Sequence, residues 1–108
     1  MRVNVLKADH HGSCNGVTPR YLVLTEPQWV VASLGARNDY GHMHLQAKEI
    51  YRGAGVPWYR TDQNGTITIR SLGTVGGGFT ITPERVGTDL DGPSDRVSRQ
   101  IGCTVGLR

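Results

Sequence analysis

Residues 29–35, WVVASLG, form a continuous apolar run of strand length, and this run constrains the fold more than any other stretch of the chain. Side chains alternate across a strand, so an unbroken apolar run puts apolar groups on both faces. Such a strand needs cover on both sides, as in the centre of a parallel sheet. Its surroundings agree. Upstream, RVNVLKA alternates Val3 and Val5 with polar residues and then adds Leu6, which suits a strand with one face well buried. Thr18 is placed to cap a short helix with Pro19 in its first turn, where a missing N–H costs nothing, and Pro27 closes it. Downstream, HLQAKEIYRGAG carries Leu45, Ala47, Ile50, Tyr51 and Ala54 at roughly helical spacing, with Gly53 and Gly55 as the stop. VPWYRT reads as a short strand. The Asn-Gly pair in DQNG favours a type I′ turn leading into the returning strand TITIR. Strands alternating with helices predict an α/β layer ending in a hairpin.

From Ser71 the character changes to Gly, Thr, Ser and Asp with few large apolar residues. FTIT is expected to add one strand, and the remainder of 71–108 reads as a disordered tail. The predicted organisation is a folded unit over 1–70 followed by that tail.

Charge and cysteine usage exclude less than they suggest. The chain carries 12 Lys and Arg against 9 Asp and Glu, a net charge of +3, which by itself does not argue for nucleic acid. The excess falls in residues 1–70, beside the histidines, and suits either an anionic substrate or plain solubility. Cys14 and Cys103 lie far apart and form no CxxC pair, which points away from a zinc knuckle or a disulfide framework. No apolar run approaches the roughly 20 residues of a membrane span. The N-terminal residues read as a strand rather than a signal peptide, so a cytoplasmic location is expected.

All four histidines fall into two groups, His10–His11 and His42–His44, each in a glycine-containing loop after a predicted strand. The C-terminal ends of strands are where α/β folds usually place their sites. Histidine is the common nitrogen ligand for zinc and the natural acid–base group near neutral pH. On an extended segment His42 and His44 would point the same way, whereas at a helix start they would diverge by about 200°. Adjacent histidines on a strand point to opposite faces, so only one of His10 and His11 is expected to face a given centre. Asp9 is placed to orient a histidine, or simply to end a strand. Ser13 lacks the GxSxG elbow of a serine nucleophile, and its expected part is a hydroxyl or N–H offered to an anion, or a plain turn. The GGG at 76–78 is not followed by Lys-Ser/Thr and is no phosphate loop.

Three ordered segments, LKADHHGS (6–13), SLGARNDYGHMH (33–44) and YRTDQNGT (59–66), resemble the C-terminal half of a metallo-β-lactamase-fold hydrolase. The branch they resemble is that of the DNA-uptake competence protein ComEC and its soluble relatives. The resemblance covers roughly residues 2–70 and departs at Met43, where the family usually has Pro. It implies half of an αββα sandwich. It also implies a site in which His42 is the final metal ligand, His10 or His11 (with a slight preference for His11) contacts the substrate or a metal and serves as acid, and Ser13, Asn38 and Tyr40 shape the pocket. The implied cofactor is a pair of zinc or manganese ions acidifying a water. The implied substrate is an anionic ester or phosphodiester, with DNA or nucleotides in view, and no membrane contact is implied for this chain.

The family's main ligand motif, HxHxDH, is absent from these residues. The chain is therefore expected to be a fragment that binds zinc weakly and is inactive alone. Its sheet would be exposed where the missing half packs, which favours self-association or pairing with that half. The other reading is a non-catalytic remnant or partner-dependent half-domain, and a weaker one is a small nucleic-acid binder resting on the +3 charge alone.

Overall fold

The computed structural model describes residues 3–13, 16–35, 43, 45–73, 78–87 and 90, with only the backbone of His10. Three strands, β1 (Val5–Lys7), β2 (Trp29–Ala32) and β3 (Trp58–Arg60), form a parallel sheet in the order β1-β2-β3. The run WVVA is thus the central strand. Helix α1 (Pro19–Thr25) makes the first crossover and α2 (Leu45–Gly53) the second. Right-handed crossovers in a 1-2-3 order place both helices on one face of the sheet. That face holds the core: Val30 and Ala32 from β2 pack with Leu22, Ala47 and Tyr51, and Leu6 and Trp58 join from the flanking strands.

Local chemistry accounts for the helix ends. Thr18 is the α1 N-cap, its hydroxyl accepting the Tyr21 N–H at 3.1 Å, with Pro19 next, as its sequence predicts. Glu26 ends the helix in the left-handed region, its N–H donating to the Leu22 carbonyl at 2.8 Å.

The DQNG segment corrects the expected turn. It does not reverse the chain between two paired strands, because among the described residues β3 pairs with β2, in parallel, and TITIR belongs to another sheet. Residues Thr61–Asn64 instead wind into a one-turn helix, α3, capped by Gly65 at φ 70°. The cause is a buried polar cluster. The Arg60 guanidinium grips Asp62 in two parallel hydrogen bonds of 2.6 Å, and the Asn64 side chain accepts the Arg60 N–H at 2.9 Å. Asn64 also donates to the Arg85 carbonyl at 3.2 Å. Asn-Gly thereby serves as a helix C-terminus rather than a hairpin turn.

TITIR becomes β4 (Ile67–Ser71), which pairs antiparallel with β5 (Phe79–Pro83), so FTIT does add a strand. β4 runs across residue 71, where the expected tail begins. Thr66 and Glu84 close the base of this hairpin: the Glu84 N–H donates to the Thr66 carbonyl at 2.7 Å and the Glu84 carboxylate accepts the Thr66 N–H at 3.0 Å. That bond holds the exposed Glu84 carboxyl below the usual carboxylate range. Further on, the Leu90 carbonyl accepts both the Trp58 indole N–H, at 3.1 Å, and an Arg60 N–H, at 3.0 Å. The fold is therefore mixed α/β with two small sheets. The half-sandwich implied by the family resemblance is met as far as a mixed α/β layer goes, and the described residues do not establish a metallo-β-lactamase sandwich.

Candidate functional site

Each parallel strand ends at the same edge of the sheet, and the segments leaving that edge are tied together. After β1, residues Asp9–Gly12 form a 3₁₀ turn, not the strand continuation on which adjacent histidines would alternate. His11 sits in the left-handed region at φ 56°, a conformation that costs a non-glycine residue of order 1–3 kcal/mol and so needs support from its surroundings. Its Nδ1 lies 2.5 Å from the carbonyl oxygen of Ser33, the first residue after β2. A carbonyl only accepts, so Nδ1 carries the proton. In the neutral ring the lone pair then lies on Nε2, the pattern that orients histidine ligands and general bases.

The segment after β2 is clamped in turn from β3. The Thr61 hydroxyl accepts the Leu34 N–H at 2.9 Å and donates to the Leu34 carbonyl at 3.0 Å. Thr61 thus fixes the backbone beside the Ser33 carbonyl that holds His11. Neither Ser33 nor Thr61 is marked for a role by its residue type in the sequence. The available signal was position, since both stand one residue beyond a buried strand.

Met43 is fully buried and packs on Gly12, the residue after His11. A Cβ on Gly12 would lie 2.5 Å from the Met43 Cγ, and Gly12 itself has φ 86°. Only glycine fits there. The contact brings chain position 43 against the histidine turn. His42, Asn38 and Tyr40, expected as metal ligand and pocket residues, lie outside the described residues, as do His44, Arg37 and both cysteines. Ser13 is buried, and its carbonyl closes the turn by accepting the Gly16 N–H at 3.1 Å. Asp9 is exposed. It packs its carbonyl against Gly16 and, together with burial, helps push the Tyr51 phenol up to about 12, burial being the larger cause.

Among the described residues no three His, Cys, Asp or Glu side chains lie close enough to hold a metal ion. Those residues alone do not form a metal centre. Among them, too, no helix is long and apolar enough to cross a membrane.

No family model and no solved structure matches the chain. Over 90 residues it is 31% identical to ComE operon protein 3 of Bacillus subtilis (strain 168), a match covering 83% of this chain and 12% of that protein. The chain therefore spans a small part of the relative that it resembles.

Proposed function

We propose that this chain forms one wall of a metal-dependent hydrolase site of the metallo-β-lactamase type, in a competence-related protein. The observation that carries the reading is the His11 Nδ1 bond to the Ser33 carbonyl at the C-terminal edge of the parallel sheet. It orients the ring and places the proton on Nδ1, the tautomer in which Nε2 is the ligand or acid–base nitrogen. The Met43–Gly12 contact supports placing His42 in the same site. In this reading His42 is a metal ligand, His11 either binds metal as the neutral ring or, once protonated on Nε2 as well, gives that proton to a leaving group, and residues outside this chain supply the remaining ligands. Zinc or manganese, when bound, acidifies a water toward neutrality. The substrate class is an anionic ester or phosphodiester, with DNA among the candidates.

A partner-dependent half-domain is the second reading, and one feature favours it. Val5, Trp29, Val31 and Tyr59 occupy the sheet face away from the helices and are only half-buried, with Trp29 and Tyr59 stacked at 4.7 Å. A second layer packed there would complete the sheet's burial.

Zinc calorimetry and a phosphodiesterase assay on the 108-residue chain test the proposal. It expects binding far weaker than the about 10–16 kcal/mol of a four-ligand structural zinc site, and no turnover. Tight stoichiometric zinc with turnover would refute the one-wall reading.

A further inference from the structure

The β4–β5 hairpin takes no part in the site above. In its register Thr68 faces Thr82, Ile69 faces Ile81 and Arg70 faces Thr80. The Leu72 N–H donates to the Gly78 carbonyl and the Glu84 N–H to the Thr66 carbonyl, so the even-numbered residues bond across the hairpin. The N–H and C=O groups of the odd-numbered residues therefore point outward. Side chains alternate with the same period: Ile67, Ile69, Phe79, Ile81 and Pro83 share one face, and Thr68, Arg70, Thr80 and Thr82 the other. The apolar face is only partly covered, with Ile69 46% exposed.

The two outer edges of the hairpin differ. On β5, Pro83 takes an outward position and supplies no N–H, which blunts that edge. On β4, Ile67, Ile69 and Ser71 each offer an outward N–H and C=O, and among the described residues no strand pairs there. A two-stranded hairpin is marginal in water, and a third strand along its apolar face relieves this. The chain itself carries a matching segment. Within the stretch expected as a disordered tail, Ile101, Cys103, Val105 and Leu107 alternate with Gly102, Thr104 and Gly106, a strand period with one apolar face. Leu90 fixes where that segment departs: its carbonyl is held by Trp58 and Arg60, and Gly87 packs against both Leu90 and Asn64, beside the hairpin base at Thr66. Residues 91–100 extend to about 33 Å, against a β4 length of about 17 Å, so the segment reaches the open edge.

We propose that residues 101–107 add to the open edge of β4 as a third strand of this sheet. Ile101, Cys103 and Val105 then lie beside Ile67 and Ile69 on the apolar face, and their backbone groups meet the outward N–H and C=O groups of Ile67, Ile69 and Ser71. Gly102, Thr104 and Gly106 fall on the threonine face, and a slip of one residue would reverse both sets. The β4 edge is in this way an acceptor for a later segment of the same chain.

Amide hydrogen exchange on the full chain, ¹⁵N-labelled, tests this. The Ile67, Ile69 and Ser71 amides are expected to exchange slowly. Val105→Pro, which removes a ladder hydrogen bond, is expected to speed them by about tenfold or more. The Val30 amide, bonded to the Pro57 carbonyl in the parallel sheet, is expected to keep its rate. Val105→Ile is expected to retain the protection at β4. Fast exchange at Ile67 and Ile69 in the full chain would overturn the proposal. Protection that survives Val105→Pro would assign the edge to another strand, and protection that grows with chain concentration would assign it to a second copy. Either result would overturn it too.

Discussion

Replacing Gly12 with alanine probes the packing that joins the histidine turn to position 43. Two penalties arise from the structure. At φ 86° an L-residue is strained, by roughly 1–2 kcal/mol on the scale of the left-handed region. The new methyl would also lie 2.5 Å from the buried Met43 Cγ, and such overpacking costs about 1–3 kcal/mol. The lower entropy of an unfolded alanine chain offsets about 0.4–1 kcal/mol of this. The net loss is about 1–4.5 kcal/mol, a large share of the 5–15 kcal/mol typical of a folded domain. Urea unfolding reads it as a lower midpoint at unchanged slope. The double mutant Gly12→Ala/Met43→Ala separates the two terms: Met43→Ala alone opens a cavity, yet it removes the clash, so the pair is expected to be less damaging than the sum of the singles by about 1 kcal/mol or more. A Gly12→Ala chain within about 0.5 kcal/mol of the parent, or strictly additive singles, would show that Met43 does not close the space over Gly12.

Other perturbations test other parts of the molecule. Asp62→Ala leaves the fully buried Arg60 without its bidentate partner and is expected to cost about 3–5 kcal/mol, measured by chemical denaturation. Thr61→Val removes both hydrogen bonds to Leu34, with an expected loss of about 1–3 kcal/mol. The same change should shift the His11 ring resonances, and unmoved resonances would show that Thr61 does not support the Ser33 carbonyl. Tyr51, raised from 10.0 to about 12 in the folded chain, makes stability alkali-sensitive. Above pH 10 the unfolded phenol loses its proton while the folded one keeps it, so stability is full below 10 and falls toward 12, by about 2–3 kcal/mol in all. Tyr51→Phe should flatten that decline in melts recorded across the range.

Much of the architecture was legible because local signals and long-range packing agree. The apolar run at 29–35 reads as the central strand, and its first four residues, Trp29–Ala32, are that strand, while Thr18-Pro19 reads as a helix start and is one. Legibility failed where one local signal serves two structures. Asn64-Gly65 suits a type I′ turn and equally a helix C-terminus, and the choice was made by Arg60, Asp62 and Arg85, whose contacts no spacing rule announces. Periodicity also mis-assigned part of α2: Leu45 is 42% exposed while Lys48, a charged residue, is fully buried. At the candidate site the backbone geometry of the His10–His11 segment was not legible. A strand model alternates the two rings, whereas the 3₁₀ turn and the left-handed backbone of His11 send its Nδ1 to Ser33.

The proposed site needs His11 held through Nδ1 and sharing its metal with His42. Imidazole ¹⁵N spectra of the full chain during a zinc titration read both conditions at once. A His11 ring protonated at Nδ1 before zinc is added is expected, with parallel zinc-induced shifts at His11 and His42 on one weak binding curve. A His11 protonated at Nε2, or zinc shifts at one histidine without the other, would contradict it.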